Sequence, residues 1–188
     1  MTRSNGEPDT RYDRWLRCAE KRCCVESTVY VTARDVATVA RTISVPPWEF
    51  AFADDAPSDA DDGFALDATA RRYRLALRRT SSPGEAAHCT FLLRFATGAA
   101  RCGLGETRPA SCRVFPLAGG EDACTCAIAR APRDDPADLA ALAALGADRD
   151  AYARIVTMWN AFVVRSDTAF VLRDYCRFVL DAENAAGR

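Results

Sequence analysis

The chain has 188 residues, is 49% hydrophobic and 27% charged, and carries a formal charge of −1. That is length enough for one packed domain, or a domain with an appendage. The near-neutral charge gives no reason to expect nucleic acid or an anionic membrane as partner. Nine cysteines, a single histidine (His88) and a single lysine (Lys21) complete the picture.

In chain order, the polar start MTRSNGEPDTRYDR has no apolar core of a secretory signal, and residues 1–11 read as a tail. No apolar run of about 18 residues occurs, so no membrane span is expected, and the cytoplasm is the expected compartment. In that reducing setting nine cysteines point to metal ligation before structural disulfides, and an odd count leaves one out of any full pairing. Tyr12, Trp15 and Leu16 begin the ordered part, Cys18 and the pair Cys23-Cys24 follow, and Val25, Val29 and Val31 suggest a short strand. Thr32-Ala33-Arg34-Asp35 has the form of a capping box with Asp in the Glu position. Val36, Val39, Ala40 and Ile43 recur at helical spacing behind it, and Pro46-Pro47 stops that helix. Trp48, Phe50 and Phe52 are expected to cover the core.

Residues 53–63 are acidic and turn-rich and read as a solvated loop; calcium-loop spacing and the distal glutamate are lacking. Residues 72–78 alternate, with Tyr73, Leu75 and Leu77 on one face of a half-buried strand and arginines outward. Residues 81–84 form a turn, and Cys89 leads a strand over 89–93. Gly98 and Gly103 to Gly105 mark loops. Beyond Cys126 three helices are expected: one capped by Asp135 with Pro136 in its first turn and ended by Gly146, one opened by Asp148 or Asp150, and one capped by Asp167. The predicted organisation is a cysteine-rich unit over 12–130 with a helical segment, 131–188, packed on it. The predicted class is α+β, mostly helical, with few short strands and a loop-rich core gathered round a cysteine-ligated metal.

The chemistry lies in the cysteines. Cys18, Cys23, Cys24, Cys89, Cys102, Cys112, Cys124 and Cys126 fall in three groups on glycine- and proline-bearing loops, where several sulfurs can turn toward one centre. Thiolates suit iron–sulfur clusters or zinc. Arg17, Arg22, Arg101 and Arg113 adjoin proposed ligands and favour the thiolate form. His88 beside Cys89 is a candidate ligand or proton donor, although a surface or core role is the commoner one for a lone histidine. Cys176 sits on an apolar helical stripe and reads as a core thiol outside the site. Trp159 is explained as core by its spacing, and Asn160 is placed near the site if the helices close over it.

These residues resemble the YkgJ-type cysteine-cluster family, a zinc- or iron-chelating group with a CxxCxxCC motif that includes the flagellin lysine N-methylases. The similarity rests on Cys23-Cys24, Val31-Thr32-Ala33-Arg34-Asp35, Cys89-Thr90-Phe91-Leu92, and Cys102 through Arg108-Pro109-Ala110-Ser111-Cys112-Arg113-Val114-Phe115-Pro116. It spans about residues 15–130, and the Arg-Pro-x-x-Cys-Arg-x-Phe-Pro run is its most specific piece. The departure is at the start, where only Cys18 precedes the pair and Glu20 stands where the family has cysteine. Either Cys18 takes the missing place, or the site has one sulfur fewer, with a carboxylate ligand or an open coordination position in its stead. The resemblance implies an iron–sulfur enzyme, methyltransferase-like or tailoring, acting on a small molecule or a protein lysine or other amine. Arg108 and Arg113 would orient or charge-balance around the centre, although hydrogen bonding of backbone carbonyls is the plainer role for Arg108. S-adenosylmethionine is a candidate cofactor, but no glycine-rich nucleotide loop follows a strand, so it would have to bind at the cluster itself or on residues without a recognisable motif. The other readings are a zinc-stapled binding or adaptor module without catalysis, and metal storage or delivery, against which the ordered motif argues.

Overall fold

The computed structural model describes residues 15–16, 21–69, 71–81, 84, 86–115 and 136–187. Cys18, Glu20, Cys124 and Cys126, and the expected cap at Asp135, lie outside them. Helices α1 (Arg22–Val25), α2 (Ala33–Ile43) and α3 (Pro47–Phe50) come first, followed by strands β1 (Ala51–Ala56) and β2 (Arg72–Leu77). Four short strands follow, β3 (Arg79–Thr80), β4 (His88–Cys89), β5 (Leu92–Arg94) and β6 (Ala100–Cys102). A 3-10 turn (Gly105–Thr107) and helices α4 (Ala110–Val114), α5 (Pro136–Ser166) and α6 (Leu172–Ala186) complete the described chain. The mostly helical α+β class is as the sequence predicts.

Helix α2 starts where its capping box places it. The Asp35 amide donates to Thr32 Oγ1 at 3.3 Å, and the Thr32 amide donates to Asp35 Oδ2 at 3.1 Å. It ends at Ser44, whose left-handed φ of 55° closes the helix before the prolines. Pro47 then opens the single turn α3. Val25, expected in a strand, instead ends α1. Val29 and Val31 form no strand of their own, only an isolated bridge beside β2: the Leu77 amide donates to Val29 O and the Val31 amide to Leu75 O, around Tyr30 opposite Ala76.

The acidic stretch is the first correction. Residues 53–56 belong to strand β1, antiparallel to β2, and only 57–63 are the turns and loop expected. Isolated Asp residues disfavour strands, but here the partner strand is arginine-rich. Asp54 stands opposite Arg74, Tyr30 Oη donates to Asp54 at 2.9 Å, and Arg71 pairs with Asp55 at 2.9 Å. Charge across the ladder outweighs local propensity. The strand expected over 89–93 is two pieces: β4 pairs with β3, a turn at Thr90-Phe91 follows, and β5 pairs with β6.

The second correction concerns the helices. Gly146 ends nothing: α5 runs through it for 31 residues and absorbs the two helices expected there. A Cβ at Gly146 would meet nothing within 4 Å, so the residue sits on an open face and costs only its propensity. Gly146→Ala is expected to raise stability by about 0.5–1 kcal/mol in a denaturant titration, with the m-value unchanged. Asp167 is the left-handed terminator of α5 (φ 47°) and not the cap of α6. The first turn of α6 is closed by Asp174, which accepts from the Val171 amide at 3.1 Å.

One apolar cluster joins both halves of the chain. Val36, Val39, Phe50, Phe64 and Leu75 meet Tyr152, Val156, Trp159, Val163, Tyr175, Cys176 and Val179. Phe64 stacks on Tyr175 with ring centroids 3.8 Å apart, and the buried Tyr175 hydroxyl donates to Tyr152 Oη at 2.8 Å. Trp159 is core, as its spacing predicts, and its indole donates to Ala65 O at 2.6 Å. Asn160, expected near the site, instead pins the 63–65 loop, accepting from the Ala65 amide and donating to Gly63 O. Cys176 is fully buried in this core, where desolvation pushes its thiol up to about 12.

Candidate functional site

At one edge of that core, short helices, strands and loops surround a cavity of about 240 Å³, and five cysteines line it: Cys23, Cys24, Cys89, Cys102 and Cys112. They come from α1, β4, β6 and α4, with as many as 89 positions between Cys23 and Cys112. Trp15, Val29, Leu77, Phe91, Leu92, Leu104 and Phe115 form its apolar wall. All five are free thiols.

Each thiol is placed by an identifiable tie. Lys21 starts α1 with a left-handed φ of 49°, and its carbonyl accepts from the Cys24 and Val25 amides. That conformation costs about 1 kcal/mol for a non-glycine residue. It is offset by the buried ammonium, which donates to the Trp15 and Leu16 carbonyls and lies 4.3 Å from the Trp15 ring centroid. Arg79 donates to the carbonyls of Val25, Ser27 and Ala87, and so holds the end of α1 against the approach to Cys89. The Gly103 amide donates to Phe91 O at 2.8 Å, fixing Cys102 beside the turn after β4.

Cys112 rides on α4, whose start is Arg108-Pro109. Pro109 supplies the fixed backbone that opens the helix. The Ala110 amide, an orphan donor of the first turn, is accepted by Asp35 Oδ1 at 2.8 Å. Asp35 is 6% exposed and accepts from two backbone amides, that of Thr32 at the head of α2 and that of Ala110, 75 positions beyond Asp35, at the head of α4. Ser111 Oγ adds a bond to Tyr30 O.

The thiols perturb one another. Cys23 Sγ and Cys24 Sγ are 3.8 Å apart. The Cys24 hydrogen bond holds Cys23 down at about 6 against the opposing cost of burial, with help from Trp15 and the Lys21 ammonium. The same contact, with burial, pushes Cys24 up, so the pair shares its protons unequally. Burial raises Cys89, Cys102 and, most strongly, Cys112, and the neighbouring sulfurs raise them further. Such a set resists releasing all its protons by itself. A bound cation reverses the sign of the problem, because each thiolate is then stabilised by positive charge.

Among the described residues, no three cysteine, histidine or carboxylate side chains are drawn in closely enough to hold one ion. The five sulfurs are arranged round a cavity and not gathered on a point. Cys23 and Cys24 alone stand at about 3.8 Å, the edge of a sulfur tetrahedron around a metal with bonds of about 2.3 Å.

The neighbours separate. Arg108 is buried and lines the cavity. Arg113 is exposed and does not line it. His88 is buried, faces Ala86 O through Nδ1 at 3.3 Å, and is not among the lining residues either. Lys21, Arg79, Asp35 and Arg149 are the contributors that sequence reasoning did not assign to the site. The one available signal was Lys21, the only lysine of an arginine-rich chain, two positions before Cys23. No helix among the described residues is long and apolar enough to cross a membrane. Compared with protein-family models, with curated proteins and with solved structures, the chain matches none.

Proposed function

We propose that the chain is a cytoplasmic cysteine-cluster metalloprotein, and that its thiol-lined cavity holds an iron–sulfur centre used in an enzymatic step on a small molecule or an amine. One observation carries this: Cys23, Cys24, Cys89, Cys102 and Cys112 line a single cavity although two remote stretches of the sequence, 23–24 and 89–112, supply them. Five free thiols drawn to one cavity from such distances fit a shared soft ligand. The cavity is wider than a lone ion needs, and a polynuclear centre, whose own inorganic sulfide fills the middle, suits ligands spread around a wall. When bound, that centre supplies redox or Lewis-acid chemistry. The protein's part is to hold the sulfurs, exclude water with Trp15, Phe91 and Phe115, and balance charge with Lys21 and Arg108. The resemblance to the YkgJ-type family points the same way and suggests methyltransferase-like or tailoring chemistry, with S-adenosylmethionine as a candidate cofactor.

A specific observation favours a second reading, a zinc staple in a binding module. Helices α1 and α4 have four and five residues, too short to persist alone. A metal tying them would contribute folding energy directly. Anaerobic purification of the full chain separates the two. Stoichiometric iron and acid-labile sulfide with a brown charge-transfer spectrum supports the first reading, whereas colourless protein with one zinc supports the second.

A further inference from the structure

We propose that a second, polar cavity beside the thiols binds a small zwitterion, its carboxylate on Arg149 and its ammonium on Asp61 and Asp150. This cavity measures about 400 Å³, within the range of small-molecule sites. It shares a wall with the thiol cavity: Tyr30, Ser111 and Arg149 line both.

The charges of its lining select the ligand. Arg74 is engaged by Asp62 at 2.6 Å, so that pair is self-neutralised. The other polar groups are also occupied. Thr32 Oγ1 caps α2, Ser111 Oγ bonds to Tyr30 O, Tyr30 Oη to Asp54, and Tyr152 Oη takes the Tyr175 hydroxyl. Arg149, Asp61 and Asp150 remain, and they make no ion pair among the described residues. Arg149 and Asp150 are adjacent on α5, a spacing at which helical side chains do not face one another, so they do not cancel. A guanidinium on α5, with carboxylates on α5 and on the 57–63 loop, lines one cavity and fits a ligand bearing both charges, with guanidinium against carboxylate in the bidentate geometry it favours. Because Arg149 stands on the shared wall, the ligand's carboxylate end lies next to the thiols. That the zwitterion is the substrate rests on the metal-centre reading above; that it binds does not.

The test is calorimetric titration of the full chain with the common L-amino acids. Each that binds is compared with the matched amine lacking the carboxylate and the matched acid lacking the amine. Arg149→Gln and Asp150→Asn change exposed helix positions and should leave the circular dichroism unaltered. The proposal predicts binding of at least one amino acid, weakened about tenfold or more by either substitution and by loss of either ligand charge. It is overturned if none binds, if both variants bind as tightly as the parent, or if the amine or acid alone binds equally well. Repeating the titration on protein with measured metal content keeps the two ideas apart: binding that persists without metal sustains this cavity's role, while the metal analysis alone decides the metal centre.

Discussion

Replacing Cys112 with alanine is expected to abolish stoichiometric metal in anaerobically purified protein, while Cys176→Ala leaves it unchanged. The two cysteines have opposite settings. Cys112 lines the cavity with four other thiols, and its sulfur is held there by the Arg108-Pro109 entry to α4. Cys176 is enclosed by aliphatic and aromatic side chains and belongs to the main core. Removing one ligand from a multidentate site costs far more than the transfer of one sulfur, because binding and the order of the surrounding loops are coupled. Cys176→Ala should instead show only the loss of a small buried side chain, about 1–2 kcal/mol in a denaturant titration. Equal metal in the two variants would contradict this assignment of the cavity.

The second large effect is expected at Asp35. Asp35→Ala leaves the Thr32 and Ala110 amides without their carboxylate acceptor and should cost about 2–4 kcal/mol, the sum of a lost cap and a buried donor left unmade. Asp35→Asn keeps the shape but turns an amide NH₂ toward one of the two donors, and should cost about 1–3 kcal/mol. Thr32→Ala removes only one bond and should cost about 1 kcal/mol. The order Ala > Asn > Thr32→Ala, measured by urea unfolding of metal-free protein, separates the double role of Asp35 from an ordinary N-cap. If Asp35→Ala and Thr32→Ala cost the same, the bond across to α4 contributes nothing. In protein that has bound metal, Asp35→Ala should also weaken retention, since it frees the helix that carries Cys112.

Local signals read well wherever the cause was local. The Thr32/Asp35 box fixed the start of α2, and the alternation over 72–77 fixed β2, because each depends on residues a few positions apart. Two errors have non-local causes. The acidic run became β1 because arginines twenty positions on provide the matching charge, and α5 passed through Gly146 because an exposed glycine is only a small penalty inside an otherwise strong helix former. For the site, the cysteine count and grouping picked out the five residues that line the cavity, although they sit on short helices and strands and not on the loops expected. It could not separate Arg108, which lines the cavity, from Arg113 one turn further along α4, which faces out. Nor could it show that Asp35 serves α4 as well as its own helix. Both facts depend on how α4 docks, which no short-range pattern encodes.

The most direct measurement is X-ray absorption at the metal edge on anaerobically purified full-length chain. The account predicts a first shell of sulfur at about 2.3 Å, lost in Cys112→Ala. A protein without stoichiometric metal, or one whose metal sits in a shell of nitrogen and oxygen alone, would contradict it.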